Sequence, residues 1–284
     1  MGYDLAAFAA AFASDPILAL IVILTLGATV VNGATDAPNA IATVVGTKAM
    51  RPGPAIAMAA VCNFVGLAGI TMVSSAVALT IFKMVDFGGD NHAALVALAA
   101  AMVAIIVWGA AAWYFGIPTS QSHSLIAGIT GAAIALQGGL GGVNGAEWMK
   151  VVYGLVISTG LGFGTGWLFT RIIKVTCRRL HRRKANAFFK WAQIASGAGV
   201  AVLHGAQDGQ KFLSLCMLGI MIAMSGSVDA DVTFPFWLII LVSAVMALGT
   251  AVGGKKIIKS VGMNMVKMEQ YQGCLLYTSW RARP

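Results

Sequence analysis

From Ile17 to Val31 the chain carries no charged side chain, and it then sets Asp36 and Asn39 among small apolar residues in VVNGATDAPNAIATVVGTKAMRPG, residues 30–53. A helix needs roughly 20 mostly apolar residues to cross the hydrocarbon core of a bilayer, and several stretches reach that length. Only 10% of the 284 residues are charged, where a water-soluble domain carries about 25%. The expected fold is therefore all-α: a polytopic membrane protein with about seven membrane-crossing segments, some broken or re-entrant. Thirty-four glycines suit helices that approach closely in lipid. The start, MGYDLAAFAA, is acidic rather than basic and does not read as a cleaved signal peptide. Cys62, Cys177, Cys216 and Cys274 lack metal or redox spacing and read as packing residues.

The net charge of +9 is distributed as a topology signal rather than as a nucleic-acid surface. Basic residues gather at 48–51, 171–190 and 255–259, and aspartates gather at 4 and 15, 86 and 90, 229 and 231. Short basic loops stay cytoplasmic. With the N-terminus outside, segments at about 16–47, 54–82, 93–115, 118–137, 147–171, 188–225 and 235–254 bring every basic cluster to the inner side. Two strings then share Gly-Ala-x-Asp, Gly33 to Asp36 and Gly205 to Asp208, on segments expected to run in opposite directions. That suggests an inverted-topology repeat, common in secondary transporters.

Asp36 lies 12 residues before Lys48, about 18 Å along a helix, and so near the middle of a core about 30 Å thick. Pro38 and the residue before it favour a helix break there, Gly33 lets the chain unwind, and Asp36 can cap the half-helix that resumes. A carboxylate at that depth costs on the order of 3 kcal/mol and calls for a partner, a proton or a cation.

In GIPTSQSHSLIAG, 116–128, Gly116 ends one helix and Pro118 begins the next. Thr119, Ser120, Gln121 and Ser122 then fall in a first turn, where free N–H groups and the positive dipole end can hold an anion. The same residues can also serve as hydrogen-bonding glue between helices, but the proline start favours the anion site. In HGAQDGQK, 204–211, Asp208 repeats the buried carboxylate, Gly205 and Gly209 flank it with flexible backbone, and Gln207 and Gln210 add amides. Lys211 can offset Asp208 or meet an anion, or else snorkel toward an interface. His204 reads as a helix-packing residue.

Together these three strings resemble the inorganic phosphate transporter (PiT) family, bacterial low-affinity type: Gly33-Ala34-Thr35-Asp36-Ala37-Pro38-Asn39, Pro118-Thr119-Ser120-Gln121-Ser122-His123 and His204-Gly205-Ala206-Gln207-Asp208-Gly209-Gln210-Lys211. The likeness runs from about residue 16 to 273. It implies a symporter that moves phosphate, free or as a neutral complex with a divalent metal, together with H+ or Na+ by alternating access. By matching position, Asp36, Asn39, Asp208 and Gln207 would bind the coupling cation. Thr119, Ser120, Gln121, Ser122, Gln210 and Lys211 would bind phosphate. No catalytic residue, resident metal or cofactor is implied; membrane lipid and phosphate are the partners, with room for a homodimer, in a bacterial inner membrane.

Thr35 and Gln207 depart from the family's usual Asn, and its second Pro-x-Ser-x-[Ser/Thr]-His element is missing. The division expected is a first repeat at 1–173 holding five segments, a basic cytoplasmic loop at 174–190, a partial second repeat at 191–273 and a non-native tail at 274–284. Two rival readings stand beside this one. A transporter or channel for another oxyanion such as sulfate would share the anion cradle. A membrane-embedded phosphatase or transferase would use His123 or His204 as nucleophile, against which the chain shows no metal-ligand cluster and no large polar domain.

Overall fold

The computed structural model describes residues 3–88, 90–117, 119–177, 182–226 and 233–258. Among the described residues ten α-helices follow one another: α1 Leu5–Ser14, α2 Pro16–Thr35, α3 Ala37–Gly46, α4 Pro52–Val73, α5 Ala76–Phe82, α6 Asn91–Phe115, α7 Gln121–Gln137, α8 Gly145–Thr176, α9 Arg182–Ser225 and α10 Phe236–Ile258. A 3-10 turn at Leu140–Gly142 and an isolated bridge between Val85 and Val143 complete the pattern among the described residues. The all-α membrane fold is as expected. Among the described residues, Pro16–Gly46, α4, α6, α8 and Phe236–Gly253 are five helices long and apolar enough to cross a bilayer. Helix α9, at 44 residues, is about 66 Å long and exceeds the core thickness by itself.

The acidic residues near the helix starts have a local task. Asp4 accepts the Ala7 N–H, Asp15 those of Ile17 and Leu18, and Asp90 those of His92 and Ala93. Each supplies an acceptor for donors that a first helical turn leaves free, which is worth about 1 kcal/mol. At the other ends, Gly116 and Gly138 take φ of 68° and 65°, closing α6 and α7 with the left-handed backbone that glycine tolerates.

Several boundaries differ from the sequence-based expectation. A helix, α1, precedes the first expected segment, capped by Asp4. The segment expected at 54–82 is two helices, because Ser74 is extended at φ −153° and ψ 128°. The Gln210 amide donates to the Ser74 carbonyl at 2.7 Å and satisfies the broken end. Helix α7 starts at Gln121 with Ser120 as its cap, and Pro118 lies outside the described residues. The basic stretch 174–190 is mostly helix, since α8 runs to Thr176 and α9 starts at Arg182. Asp229, Asp231 and the stretch 259–284, including the expected tail, lie outside the described residues.

The glycines of the two similar strings are contact points rather than hinges. A Cβ at Gly33 would collide with the Met246 carbonyl oxygen, one at Gly249 with that of Val30, and one at Gly253 with Ala34, so α2 and α10 meet backbone to backbone. In the same manner Gly205 faces the Asn63 backbone, Gly66 the Val202 carbonyl and Gly209 the Leu67 side chain, joining α9 to α4. The first helix of each Gly-Ala-x-Asp string thus packs on a long helix from the other half of the chain. Around this centre lie apolar clusters, one gathering Ile21, Leu98, Met102, Leu125, Ile129 and Phe212 and another Leu18, Val22, Leu213, Met217 and Val242. Helix α8 stays almost wholly exposed and apolar, with Phe163, Trp167 and Phe169 outward, as a lipid-facing helix would be.

Candidate functional site

At Asp36 the helix is interrupted for one residue only, with the backbone still right-handed. Its N–H still donates to the Asn32 carbonyl at 2.9 Å, Pro38 has no N–H to continue the ladder, and the Asn39 N–H turns to the Asp36 carbonyl at 3.0 Å. The side chain makes no cap on α3, contrary to expectation. Instead Asp36 Oδ2 accepts the backbone N–H of Gln121 at 2.9 Å, the first residue of α7. A carboxylate of the first half of the chain thus sits on the positive end of another helix, a favoured place for negative charge. Asp36 is 8% exposed, and its Oδ1 has no hydrogen bond among the described residues.

The residue after Gln121 reaches the other carboxylate. Ser122 Oγ donates to Asp208 Oδ1 at 2.9 Å, and Lys211 Nζ donates both to Ser122 Oγ at 2.6 Å and to Asp208 Oδ1 at 2.7 Å. On α9, His204, Asp208 and Lys211 are spaced four and three residues apart and so share a face. His204 Nε2 lies 3.3 Å from Asp208 Oδ2 without hydrogen-bond alignment. One ligand atom from each of Asp36, His204 and Asp208 falls in a group whose members all lie within 4.8 Å of one another, a grouping able to hold a metal ion where the sequence alone showed no metal-ligand cluster. Both acidic side chains singled out from the sequence therefore meet, and Lys211 offsets Asp208.

Other expected site residues sit apart. Thr119 Oγ1 accepts the Trp108 indole N–H at 3.0 Å, and Ser120 caps α7 while pairing with His123 Nδ1 at 2.7 Å. Gln121 is fully buried, its side-chain amide unbonded among the described residues. Asn39 and Gln207 are exposed, and Gln210 points to Ser74. The 100° step of a helix explains the separation on α9, since neighbours one and two positions from Asp208 leave its face.

Two residues that the motifs did not flag, Asn63 and Thr250, extend the candidate site. Asn63 on α4 is fully buried, its Oδ1 3.0 Å from His204 Nδ1 and its Nδ2 donating to Thr250 Oγ1 at 3.0 Å. A lone Asn amid PGPAIAMAAVCNFVGLAGITMV was the available signal, because an unpaired amide in lipid is costly. His204, expected to be a packing residue, is the link between Asn63 and Asp208.

Comparison with known proteins places these observations in a lineage. A model of the phosphate transporter family matches residues 32–279. The chain is 36% identical over 254 residues to the "Probable low-affinity inorganic phosphate transporter" of Bacillus subtilis (strain 168), covering 89% of this chain and 74% of that one. It is 34% identical over 258 residues to the protein of the same description from Mycobacterium tuberculosis (strain ATCC 25618 / H37Rv), covering 90% and 60%. To the "Low-affinity inorganic phosphate transporter PitA" of Escherichia coli (strain K12) it is 35% identical over 212 residues, covering 66% and 42%. Among solved structures, "The sodium-dependent phosphate transporter" superposes with a TM-score of 0.82 at 21% identity, covering 92% of this chain and 81% of that one. At that identity the likeness speaks for the fold alone.

Proposed function

This chain belongs to the phosphate transporter family, and on that premise we propose that it carries inorganic phosphate across the membrane by symport with a cation, H+ or Na+, where Asp36, Gln121, Ser122, Asp208 and Lys211 meet. The family is one of transporters, not enzymes. The observation that carries the proposal is the hydrogen bond from the Gln121 N–H to Asp36 Oδ2.

That bond puts an internal anion on the helix end best suited to receive phosphate. Asp208 holds the Ser122 hydroxyl and the Lys211 ammonium in the same way. Phosphate entering there competes with both carboxylates for their donors. A cation on the carboxylates releases the donors, and a phosphate on the donors leaves the carboxylates free for a cation. Each ligand therefore favours the other, and the coupling is reciprocal. The cation also lowers the net charge to be carried through a medium where a bare dianion would be strongly disfavoured. Thr119 and Ser120 shape the turn into α7, while Asn39, Gln207 and Gln210 lie off this cluster.

The reciprocal glycine contacts of α2 with α10 and α4 with α9 support two inverted halves rocking about this midplane site. An N-terminus outside and a cytoplasmic 174–190 stretch follow from the placement of basic residues. The test is uptake of labelled phosphate by the chain in proteoliposomes, with pH and sodium gradients imposed separately. Sodium has its own arm because the structural relative is sodium-dependent by name. Uptake driven by one gradient supports the proposal; uptake equal to that of empty vesicles under both refutes it. Competition by unlabelled sulfate as strong as by phosphate would assign the site to oxyanions in general.

A further inference from the structure

We infer that Asn63 and Thr250 are positioning residues for the cation site: they hold His204 in the tautomer whose Nε2 lone pair faces the carboxylates of Asp36 and Asp208. The inference rests on the proposed use of that carboxylate pair by a cation.

The direction of the chain is set at its far end. The Met246 carbonyl can only accept, so the Thr250 hydroxyl, 3.0 Å away, donates to it. Thr250 Oγ1 then accepts from Asn63 Nδ2 at 3.0 Å, which fixes the amide and turns Oδ1 toward His204 Nδ1 at 3.0 Å. An amide oxygen accepts, so Nδ1 bears the proton. In the neutral form, which has one N–H, Nε2 is then left with its lone pair. It faces Asp208 Oδ2 at 3.3 Å, and a carboxylate oxygen of Asp36 completes the group.

Three acceptors turned on one point repel one another until a cation, a proton included, sits among them. Without the chain the imidazole could place its N–H on Nε2, donate to Asp208 and weaken the demand for a cation. The device is buried and comes from helices that do not carry the carboxylates: Asn63 on α4 is fully buried and Thr250 on α10 is 1% exposed. Gly205 makes it reachable, since a Cβ there would strike the Asn63 backbone.

The test uses the full chain in nanodiscs with 15N-labelled histidine, the His204 signal identified by its loss in His204→Gln. The expected result is a neutral imidazole protonated at Nδ1. Thr250→Val keeps the shape but removes the hydroxyl; it should shift His204 toward the Nε2–H form. It should also raise the half-saturating concentration of the driving cation about 10–100-fold, the usual weight of an outer hydrogen bond on a ligand. Half-saturating phosphate at saturating cation should stay unchanged, and Thr250→Ser should restore both readouts. A wild-type His204 that carries a proton on Nε2, as the other tautomer or as the imidazolium, overturns the inference whatever the variants do, as does a Thr250→Val chain with an unaltered tautomer. The tautomer is read without transport, so a chain that fails to take up phosphate refutes only the symport reading.

Discussion

Asp36 and Gln121 are 85 residues apart in the chain, and the carboxylate of one accepts the backbone N–H of the other at 2.9 Å. The bond ties the interruption between α2 and α3 to the start of α7. It also separates two tasks that one side chain performs, accepting a hydrogen bond and bearing charge.

Asp36→Asn keeps an oxygen for the Gln121 N–H and loses the charge. The variant should assemble normally, with a thermal unfolding temperature at or above wild type, and lose phosphate uptake by at least about 10-fold, the weight of a charge-assisted hydrogen bond of roughly 1.5–3 kcal/mol. Asp36→Ala leaves the N–H without a partner and should also be destabilised, by about 1–3 kcal/mol. Uptake assays paired with detergent-solubilised melting curves check both. Undiminished cation-driven uptake in Asp36→Asn would remove the carboxylate from the mechanism.

Much of this site was legible in the sequence because chemistry in lipid is conspicuous. Asp36 and Asp208 stand out where charge is expensive, and a shared Gly-Ala-x-Asp string paired them before any coordinates did. The roles of the glycines were not legible. Gly33 and Gly205 read as loosened backbone, whereas each is the place where another helix backbone comes closest; a sequence does not record which neighbour arrives. Asn63, Thr250 and His204 escaped for the same reason, since their meaning lies in a chain of bonds across α4, α9 and α10. The acidic residues at 4, 15 and 90 stood out only as charge set apart from the basic clusters, and their task as helix caps was not read.

That last point is testable. Asp90→Ala removes the acceptor of the His92 and Ala93 N–H groups at the start of α6, which should cost about 1 kcal/mol. Phosphate uptake at a permissive temperature should be unchanged, and Asp90→Asn or Asp90→Ser should recover the loss. A fall in uptake without a fall in stability would give Asp90 a task in transport.

Gly205→Ala and Gly160→Ala differ only in what the added methyl meets. At Gly205 it meets the backbone of Asn63, and at Gly160 nothing within 4 Å. The first should force α9 away from α4 and lower stability by about 1–3 kcal/mol, the range for overpacking, while the second should be neutral or mildly stabilising through helix propensity. Fluorescence-detected size exclusion after heating separates them; equal melting would mean that α4 and α9 do not pack as closely as described.

Lys211 and Asp208 lie 2.7 Å apart with side chains only 18% and 13% exposed. Removing one partner of such a pair strands the other charge away from water, at a cost of about 3 kcal/mol or somewhat more, reduced here by the residual exposure of both side chains. Lys211→Met should therefore melt well below wild type. Adding Asp208→Asn removes the stranded charge and should recover most of that stability, since a buried ion pair replaced as a whole is often neutral. Uptake should not recover, because the double variant has lost both the cation's carboxylate and an ammonium that phosphate would meet. Stability and transport thus part company in the double variant. A double variant that melts like Lys211→Met would show that the two side chains are not coupled, and one that regains uptake would take this pair out of the site.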